Sequence, residues 1–153
     1  MTETSCRLDP VTSPSDWRRY HTLRRDNLWT ARGRTGYDEN HPDDRRPNHH
    51  PLLLISGNEA VGVVRLDDRR DGTGIVRLVA IAPDRRGRGL GRSLGAEVEA
   101  KARGLGIHTL FVNAAQGAVG FYEAMDWERF GWDAAELVGD AADCVQMRKL
   151  LPR

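Results

Sequence analysis

A glycine- and arginine-rich turn is the part of the sequence that could do chemistry. It occupies Arg85–Ser93 and reads Arg-Arg-Gly-Arg-Gly-Leu-Gly-Arg-Ser, between an apolar run, 75–82, and a segment of helical periodicity, 90–104. A helix N-terminus presents unpaired backbone N–H groups and partial positive charge. This arrangement therefore predicts an anion-binding site, and phosphate is the usual anion. Four arginines add positive charge, namely Arg85, Arg86, Arg88 and Arg92.

Two common phosphate-binding motifs do not fit this turn. The P-loop pattern G-x-x-x-x-G-K-[ST] needs a lysine where this chain has Arg92. The dinucleotide pattern G-x-G-x-x-G starts well at Gly87 and Gly89, but its last glycine also falls on Arg92. The pattern that does fit is Arg-x-x-Gly-x-Gly, on Arg86, Gly89 and Gly91.

With this pattern the chain resembles the GNAT superfamily of N-acetyltransferases. Its members carry R/Q-x-x-G-x-G/A between a strand and a helix, where the motif holds the pyrophosphate of acetyl-CoA. The segment 79–87 is also similar to the family's V-x-P-x-x-R-G lead-in. The resemblance implies an α/β fold of the acyl-CoA N-acyltransferase type. That fold has a mixed, mostly antiparallel sheet, helices on both faces, and parallel, splayed fourth and fifth strands.

A second stretch, 113–127, resembles the other GNAT hallmark, N-x(n)-A-x-x-F-Y-x-x-x-G-F. Where the family has Gly-Phe, this chain has Asp126 and Trp127. The turn therefore needs Asp126 in a left-handed conformation, which Asp tolerates better than most residues. Two motifs in the right order are more specific than either alone. The residues that match the hallmark are Asn113, Ala118, Phe121 and Tyr122.

The resemblance implies roles for the matching residues. The backbone of Arg86–Gly91 binds pyrophosphate, Val79 and Ile81 pair with pantetheine through their main chains, and an N–H near Ala80 or Ile81 polarises the thioester carbonyl. Tyr122 matches the usual general acid for the leaving thiolate. The implied residues for acetyl-CoA, the cosubstrate, are Val79, Ala80, Ile81, Arg86, Gly87, Arg88, Gly89, Leu90, Gly91, Arg92 and Asn113.

The resemblance does not identify the general base. Many members place a Glu on the fourth strand, where this chain has Arg77 and Leu78. The polar segment 35–51 corresponds to the region that helps form the acceptor pocket in the family. It offers acids as counter-charges for a cationic amine, namely Asp38, Asp43 and Asp44. A water chain could also serve as base, and so could these acids or two histidines, His49 and His50.

The same polar segment suggests two weaker readings. The first is a looser resemblance to the ElaA-type GNAT subgroup, although the Glu-Gln pair of that subgroup is absent here. The residues that carry this resemblance are Leu23–Arg25, Tyr37–Asp38, Asp43–Asp44 and His49 or His50. Metal binding is the other reading, because several side chains could supply N and O ligands. Their spacing matches no zinc signature, so no metal is expected. These side chains are His41, Asp43, Asp44, His49 and His50.

Local patterns predict the elements that must position these residues. Ser13, Pro14 and Asp16 begin a first helix with a capping box. Helical spacing continues through Trp17, Tyr20, Leu23 or Arg24, Leu28 and Ala31. Of these, Trp17, Tyr20 and Leu23 are expected to face the core. A second helix spans 90–104, and the strand–helix–strand order around it makes the fourth and fifth strands parallel. The predicted strands are 6–11, 51–56, 59–66, 74–82, 107–113, 127–132 and 144–150.

Composition narrows the class of protein. A chain of 153 residues suits one domain, 1–153, and 39% apolar with 29% charged residues is typical of a globular protein. With a net charge of +1, neither nucleic acid nor an anionic membrane is an expected partner. No signal-peptide or membrane-spanning pattern appears, which favours a cytoplasmic protein.

The leading hypothesis is therefore an acetyl-CoA-dependent N-acetyltransferase acting on a small or protein amine, and a homodimer is compatible with it. The alternatives are a CoA-binding regulatory domain without catalysis, against which Tyr122 argues, and a nucleic-acid-binding protein, against which the charge argues.

Overall fold

A seven-stranded sheet lies at the centre of the computed structural model, which describes residues 6–152. The strands are β1 (Cys6–Pro10), β2 (His49–Ser56), β3 (Glu59–Asp68), β4 (Thr73–Ile81), β5 (Thr109–Ala114), β6 (Glu128–Arg129) and β7 (Val145–Leu150). Their order in the sheet is β1-β2-β3-β4-β5-β7-β6. Within these residues β4 and β5 pair in parallel and the other pairs are antiparallel. The predicted mixed sheet is confirmed.

Three α-helices accompany the sheet in residues 6–152: α1 (Pro14–Leu28), α2 (Leu90–Gly104) and α3 (Val119–Ala124). α1 begins with the predicted capping box, in which Asp16 N donates to Ser13 Oγ at 3.0 Å and Ser13 N donates to the Asp16 carboxylate at 3.2 Å. It ends earlier than the apolar spacing predicts. Ala31 therefore lies in a 3₁₀ turn and is exposed, so its predicted place in the first helix is wrong. No helix among the described residues is long and apolar enough to cross a membrane.

Helices cover both faces of the sheet, as expected. Because successive side chains of a strand point to opposite faces, β2 contributes to two cores. Leu53 and Ile55 join the core that includes Tyr20 of α1, whereas Leu52 and Leu54 join the core under α2. The first core positions the polar side chains of α1, and the second anchors the helix that follows the glycine turn.

β4 and β5 separate towards one end of the sheet. Their pairing stops at Val76 and Val112, although both strands continue beyond these residues. Leu78 has a φ of 56°, and the register between β3 and β4 shifts between Val63 and Arg65. Such a bulge bends and twists the strand that carries it. The end of β4 thus leaves β5, and a gap opens between the two strands.

β6 is shorter than the predicted strand 127–132, which is wrong in extent. Phe130 N donates to the main-chain oxygen of Gln146 at 2.9 Å. Two residues later, Trp132 N donates to Gln146 Oε1 at 3.0 Å instead. Because a side chain here replaces a backbone acceptor, the chain leaves the sheet ladder and turns over the end of β5.

Candidate active site

The glycine turn and the start of α2 form an open element with unpaired N–H groups. Gly87 and Gly89 have φ values of 79° and 76°, which side-chain-bearing residues rarely adopt. The first bond of α2 runs from Ser93 N to Gly89 O at 3.1 Å, so the N–H groups of 90–92 have no partner inside the helix. A β-carbon on Gly87 or Gly89 would meet no atom within 4 Å. The space in front of the turn is therefore free for a ligand.

The four arginines of the turn differ in their partners. Arg85 forms an ion pair with Glu59. Arg86 donates from Nε to the main-chain oxygen of Ile81 at 3.2 Å and from Nη2 to Asn27 Oδ1 at 3.3 Å. Arg88 and Arg92 are exposed and form no ion pair with any described residue. Arg86, Arg88 and Arg92 thus have no acidic partner among the described residues, and their charges remain available to an anion.

A cavity of about 790 Å³ extends from the turn along the separated end of β4. Most of the residues predicted to bind acetyl-CoA line it, namely Val79, Ala80, Ile81, Arg86, Gly87, Gly89, Leu90, Gly91 and Arg92. Arg88 and Asn113 do not line it. The structure therefore brings together nine of these eleven residues around one space.

A second cavity, of about 490 Å³, lies on the α1 side of the gap between β4 and β5. Its walls include Asn113, Tyr37 and Asp43. Val79 and Tyr122 line both cavities, so the two spaces meet at these side chains. Two ligands could approach each other there, one from each side.

Tyr122 packs between two aromatic side chains at this junction. Its side chain is buried, and its ring packs edge-on against Phe121 and Trp127, with centroids 5.4 and 5.3 Å away. Its hydroxyl makes no hydrogen bond with any residue in the described part of the chain. Burial raises the pKa of Tyr122 to about 12. The phenol is therefore protonated at neutral pH and can donate its proton.

The acids expected in the acceptor pocket are not equally available. Asp44 is buried and accepts from Nη1 and Nη2 of Arg24 at 2.8 and 2.6 Å and from Arg65 Nη1 at 3.2 Å. These cations hold the pKa of Asp44 below its ordinary value in spite of its burial. Asp43 pairs with Arg46 at the surface, at 2.8 Å. Asp44 thus serves the fold and has no free oxygen for a ligand charge.

Of the two candidate histidines, only one faces the polar side of the sheet. His49 Nδ1 lies 2.6 Å from the main-chain oxygen of Asp43, and its Nε2 lies 3.5 Å from Asp67. His50 points to the α2 face, where burial and the charge of Lys101 lower its pKa. His50 is therefore separated from the smaller cavity by the sheet.

A chain of alternating charges crosses the α1 face of the sheet. From Asp44 it continues through Arg65 to Asp67, which accepts from Arg65 at 2.8 Å and from Arg77 at 2.9 Å. Arg77 then donates to Glu136 Oε1 at 2.8 Å, and Asn113 Nδ2 donates to the same oxygen at 3.1 Å. Glu136 thus compensates the positive charge of Arg77, which lies on β4. Sequence reasoning missed it, because Glu136 lies in an irregular polar stretch far along the chain.

A second group missed by sequence reasoning joins α1 to the loop that follows it. His21 Nδ1 lies 2.6 Å from the hydroxyl oxygen of Tyr37, and Arg24 Nε donates to the same oxygen at 2.8 Å. Tyr37 lines the smaller cavity beside Arg24. No group of three or more His, Cys, Asp or Glu side chains in residues 6–152 is arranged to hold a metal ion.

Residues 16–127 match the family model described as the acetyltransferase (GNAT) family. The chain belongs to the GNAT acetyltransferases. The match includes both sequence motifs and covers more than half of the chain. This GNAT chain is thus an acyltransferase by family, as its glycine turn and its tyrosine motif predict.

Solved structures confirm the GNAT fold. A Lactobacillus plantarum protein, assigned by inference as an N-acetyltransferase, superposes with a TM-score of 0.79 at 22% identity over 97% of this chain and 99% of that one. The ribosomal-protein-S18-alanine N-acetyltransferase of Escherichia coli gives 0.73 at 12% identity over 97% and 96%. An aminoglycoside 6′-N-acetyltransferase complexed with coenzyme A gives 0.75 at 15% identity over 95% and 98%. None of the curated proteins compared is similar enough in sequence to count as a match.

Proposed function

We propose that this GNAT acetyltransferase transfers the acetyl group of acetyl-CoA to a primary amine of a small molecule or a protein, directly and within a ternary complex. The proposal is carried by one observation: two cavities meet at Tyr122, and the larger one ends at the glycine turn. We infer that residues 1–153 form one domain for this reaction, and a cytoplasmic location stays a prediction.

The residues of the turn fit the phosphates of acetyl-CoA. Unpaired N–H groups at 90–92 point out of the start of α2, and the space before Gly87 and Gly89 is open. Backbone N–H groups at a helix N-terminus bind phosphate well. Arg88 and Arg92 would add charge from the rim of this site. Acetyl-CoA would supply the thioester, and the protein would hold it in place.

The separated end of β4 fits the extended pantetheine arm. Beyond Val76, β4 has no partner strand on its β5 side. Its main-chain N–H and C=O groups on that side therefore form no hydrogen bonds with a neighbouring strand. Val79 and Ile81 line the larger cavity at this place. Their main-chain groups would bind an extended ligand as an added strand. The N–H of Ala80 or Ile81 would then polarise the thioester carbonyl. Asn113, which bonds to Glu136 and Gln146, would contact pantetheine or a water from the smaller cavity.

The side chains at the junction favour direct transfer. Tyr122 would protonate the leaving sulfur, for which its raised pKa keeps a proton available. Cys144 also lines the smaller cavity, but burial raises the pKa of its thiol, which makes it a poor nucleophile at neutral pH. No residue that lines either cavity is therefore a suitable nucleophile to carry the acetyl group in a mechanism through an acetylated enzyme. Steady-state rates of a Cys144→Ser variant should equal those of the wild type.

The acceptor would enter through the smaller cavity. Asp44 is occupied by two arginines and Asp43 pairs with Arg46, which leaves Asp38 on the wall to attract a cationic amine. The attacking amine must be neutral, so the site also needs a group that takes a proton from it.

Calorimetric titration with acetyl-CoA tests the proposal. The double variant Arg88→Glu/Arg92→Glu should bind at least about tenfold more weakly, because it reverses two exposed charges beside the phosphates. The control is Arg103→Glu, which reverses an exposed charge at the other end of α2 and should leave binding unchanged. A thiol-release screen with amines then separates an enzyme from a regulatory CoA-binding domain. Absence of binding at millimolar acetyl-CoA would overturn the proposal.

A further inference from the structure

The hydroxyl oxygen of Tyr37 is in hydrogen-bond contact with both Arg24 and His21. Arg24 can only donate, so the Tyr37 oxygen is the acceptor of the 2.8 Å bond from Arg24 Nε. The single hydroxyl hydrogen of Tyr37 is then free to point at His21 Nδ1, 2.6 Å away. With the ring hydrogen of His21 on Nε2, His21 Nδ1 is the acceptor of this hydrogen bond. The Tyr37 oxygen keeps one lone pair for a donor in the smaller cavity.

His21 is buried among aromatic rings and charged groups. Only 5% of the residue is exposed, and its ring stacks on Trp17 with centroids 5.5 Å apart. The rings of Tyr20 and Tyr37 meet it edge-on at 5.6 and 5.7 Å. Desolvation and then the charge of Arg24 lower the pKa of His21, and Arg45 acts in the same direction, whereas Asp44 and Glu39 oppose them. At neutral pH the ring is therefore uncharged and can take up a proton.

The other candidate bases are less suited to this task. Asp44 is tied to two arginines, Asp43 pairs with Arg46, and His50 lies behind the sheet. Glu136 accepts from Arg77 and Asn113, and these bonds lower its pKa, so it holds a proton weakly.

We propose that Tyr37 and His21 form the proton acceptor for the amine substrate, with Tyr37 touching the amine and His21 receiving the proton. This inference rests on the proposed function and names the base that the reaction needs. Tyr37 and Tyr122 line the same cavity. The group that takes the proton from the amine and the group that protonates the sulfur therefore border one space.

The relay starts from the neutral amine, which has already lost its ammonium proton to solvent, and from there its proton balance is complete. As the amine lone pair forms the bond to the carbonyl carbon, the nitrogen becomes acidic and gives one proton to the Tyr37 oxygen. Tyr37 gives its own proton to His21 Nδ1, which becomes an imidazolium. The carbon–sulfur bond breaks, and the sulfur takes the proton of Tyr122. Between turnovers, solvent returns a proton from His21 to Tyr122. Arg24 stabilises the negative charge that develops on the Tyr37 oxygen during the exchange.

The relay is tested with Tyr37→Phe and His21→Asn, and with His50→Asn as the matched control. His50 is also partly buried with a lowered pKa, but it lies on the opposite face of the sheet. kcat is measured from pH 5 to pH 9 with the best acceptor of the screen. In the wild type kcat should be level at neutral pH and fall as the pH drops through the His21 pKa, below 6.5. Both variants should lose on the order of 100-fold in kcat and should no longer show the limb that His21 causes.

A second measurement does not depend on turnover. Nitrogen NMR of the protein without acetyl-CoA should show His21 protonated on Nε2 alone at pH 7, and Tyr37→Phe should change the Nδ1 signal. A proton on Nδ1 at pH 7 would overturn the relay. An inactive wild type would overturn the proposed function and the relay with it. An active wild type whose pH profile survives in both variants would overturn the relay alone.

Discussion

Gly91 in the first turn of α2 packs so closely on Phe121 of α3 that a β-carbon at position 91 would lie 2.9 Å from two ring carbons. This contact joins the glycine turn to the tyrosine motif. Gly91 is thus selected by packing, whereas the neighbouring Gly87 and Gly89 are selected by their left-handed conformation.

The first prediction compares two glycine substitutions in α2. Gly104→Ala should stabilise the protein by about 0.5–1 kcal/mol, because Ala favours a helix and no atom lies within 4 Å of the new carbon. Gly91→Ala should lack this gain, because the Phe121 ring must move. Urea unfolding should therefore show the Gly104→Ala variant to be more stable than the Gly91→Ala variant by about 0.5–1 kcal/mol. Equal stabilities would contradict the close packing.

Replacement of Asp44 tests the buried ion pairs. Asp44→Asn should lower the free energy of unfolding by about 3–5 kcal/mol, since Arg24 and Arg65 would keep uncompensated charge in the interior. The lowered pKa of Asp44 means that its contribution is present at neutral pH and is lost as the pH falls below 3.8. Asp38→Asn, at an exposed site, should change stability by less than about 0.5 kcal/mol. A similar loss in both variants would count against a special role for Asp44.

Tyr122→Phe separates chemistry from binding. The ring packing on Phe121 and Trp127 is kept, so the Kd for acetyl-CoA should stay within about threefold, while kcat should fall by about 100-fold or more. Because the Tyr122 pKa is about 12, the phenol should stay protonated and kcat should show no alkaline loss from this group up to about pH 10. A wild-type kcat in the Phe variant would rule out the acid role.

Asp126 offers a test of the replaced glycine. Its φ is 70°, as the sequence analysis expects for the position where the family has Gly. Its exposed side chain bonds to no described residue, so substitution removes no contact. Asp126→Gly should therefore raise the free energy of unfolding by about 0.5–1 kcal/mol, and Asp126→Ala should lower it, because Ala tolerates this conformation less well than Asp. Thermal unfolding of the wild type and the two variants measures this order of stabilities. The reverse order would contradict a left-handed conformation at position 126.

Local patterns in the sequence determined the elements and the motif residues. The capping box at Ser13, the span 90–104 of α2, and the parallel order of β4 and β5 follow from short-range spacing and from the geometry of strand–helix–strand units. Gly89 and Tyr122 are identified by the two motifs through which the sequence resembles the GNAT superfamily. The capping box and the helix are predictable because the interactions that produce them join residues a few positions apart. The parallel order is predictable because the handedness of strand–helix–strand units allows few arrangements.

The charge partners and the proposed base were decided only by the tertiary structure. Arg77 and Glu136 are 59 residues apart in the chain, and His21 and Tyr37 are 16 apart, yet each pair is in hydrogen-bond contact. Asp44 looks in sequence like any acid of a solvated loop, but the fold buries it between two arginines. Burial and pairing depend on how the sheet, α1 and the loops pack together. A single sequence carries no periodic signal for such contacts, so only the three-dimensional arrangement reveals them.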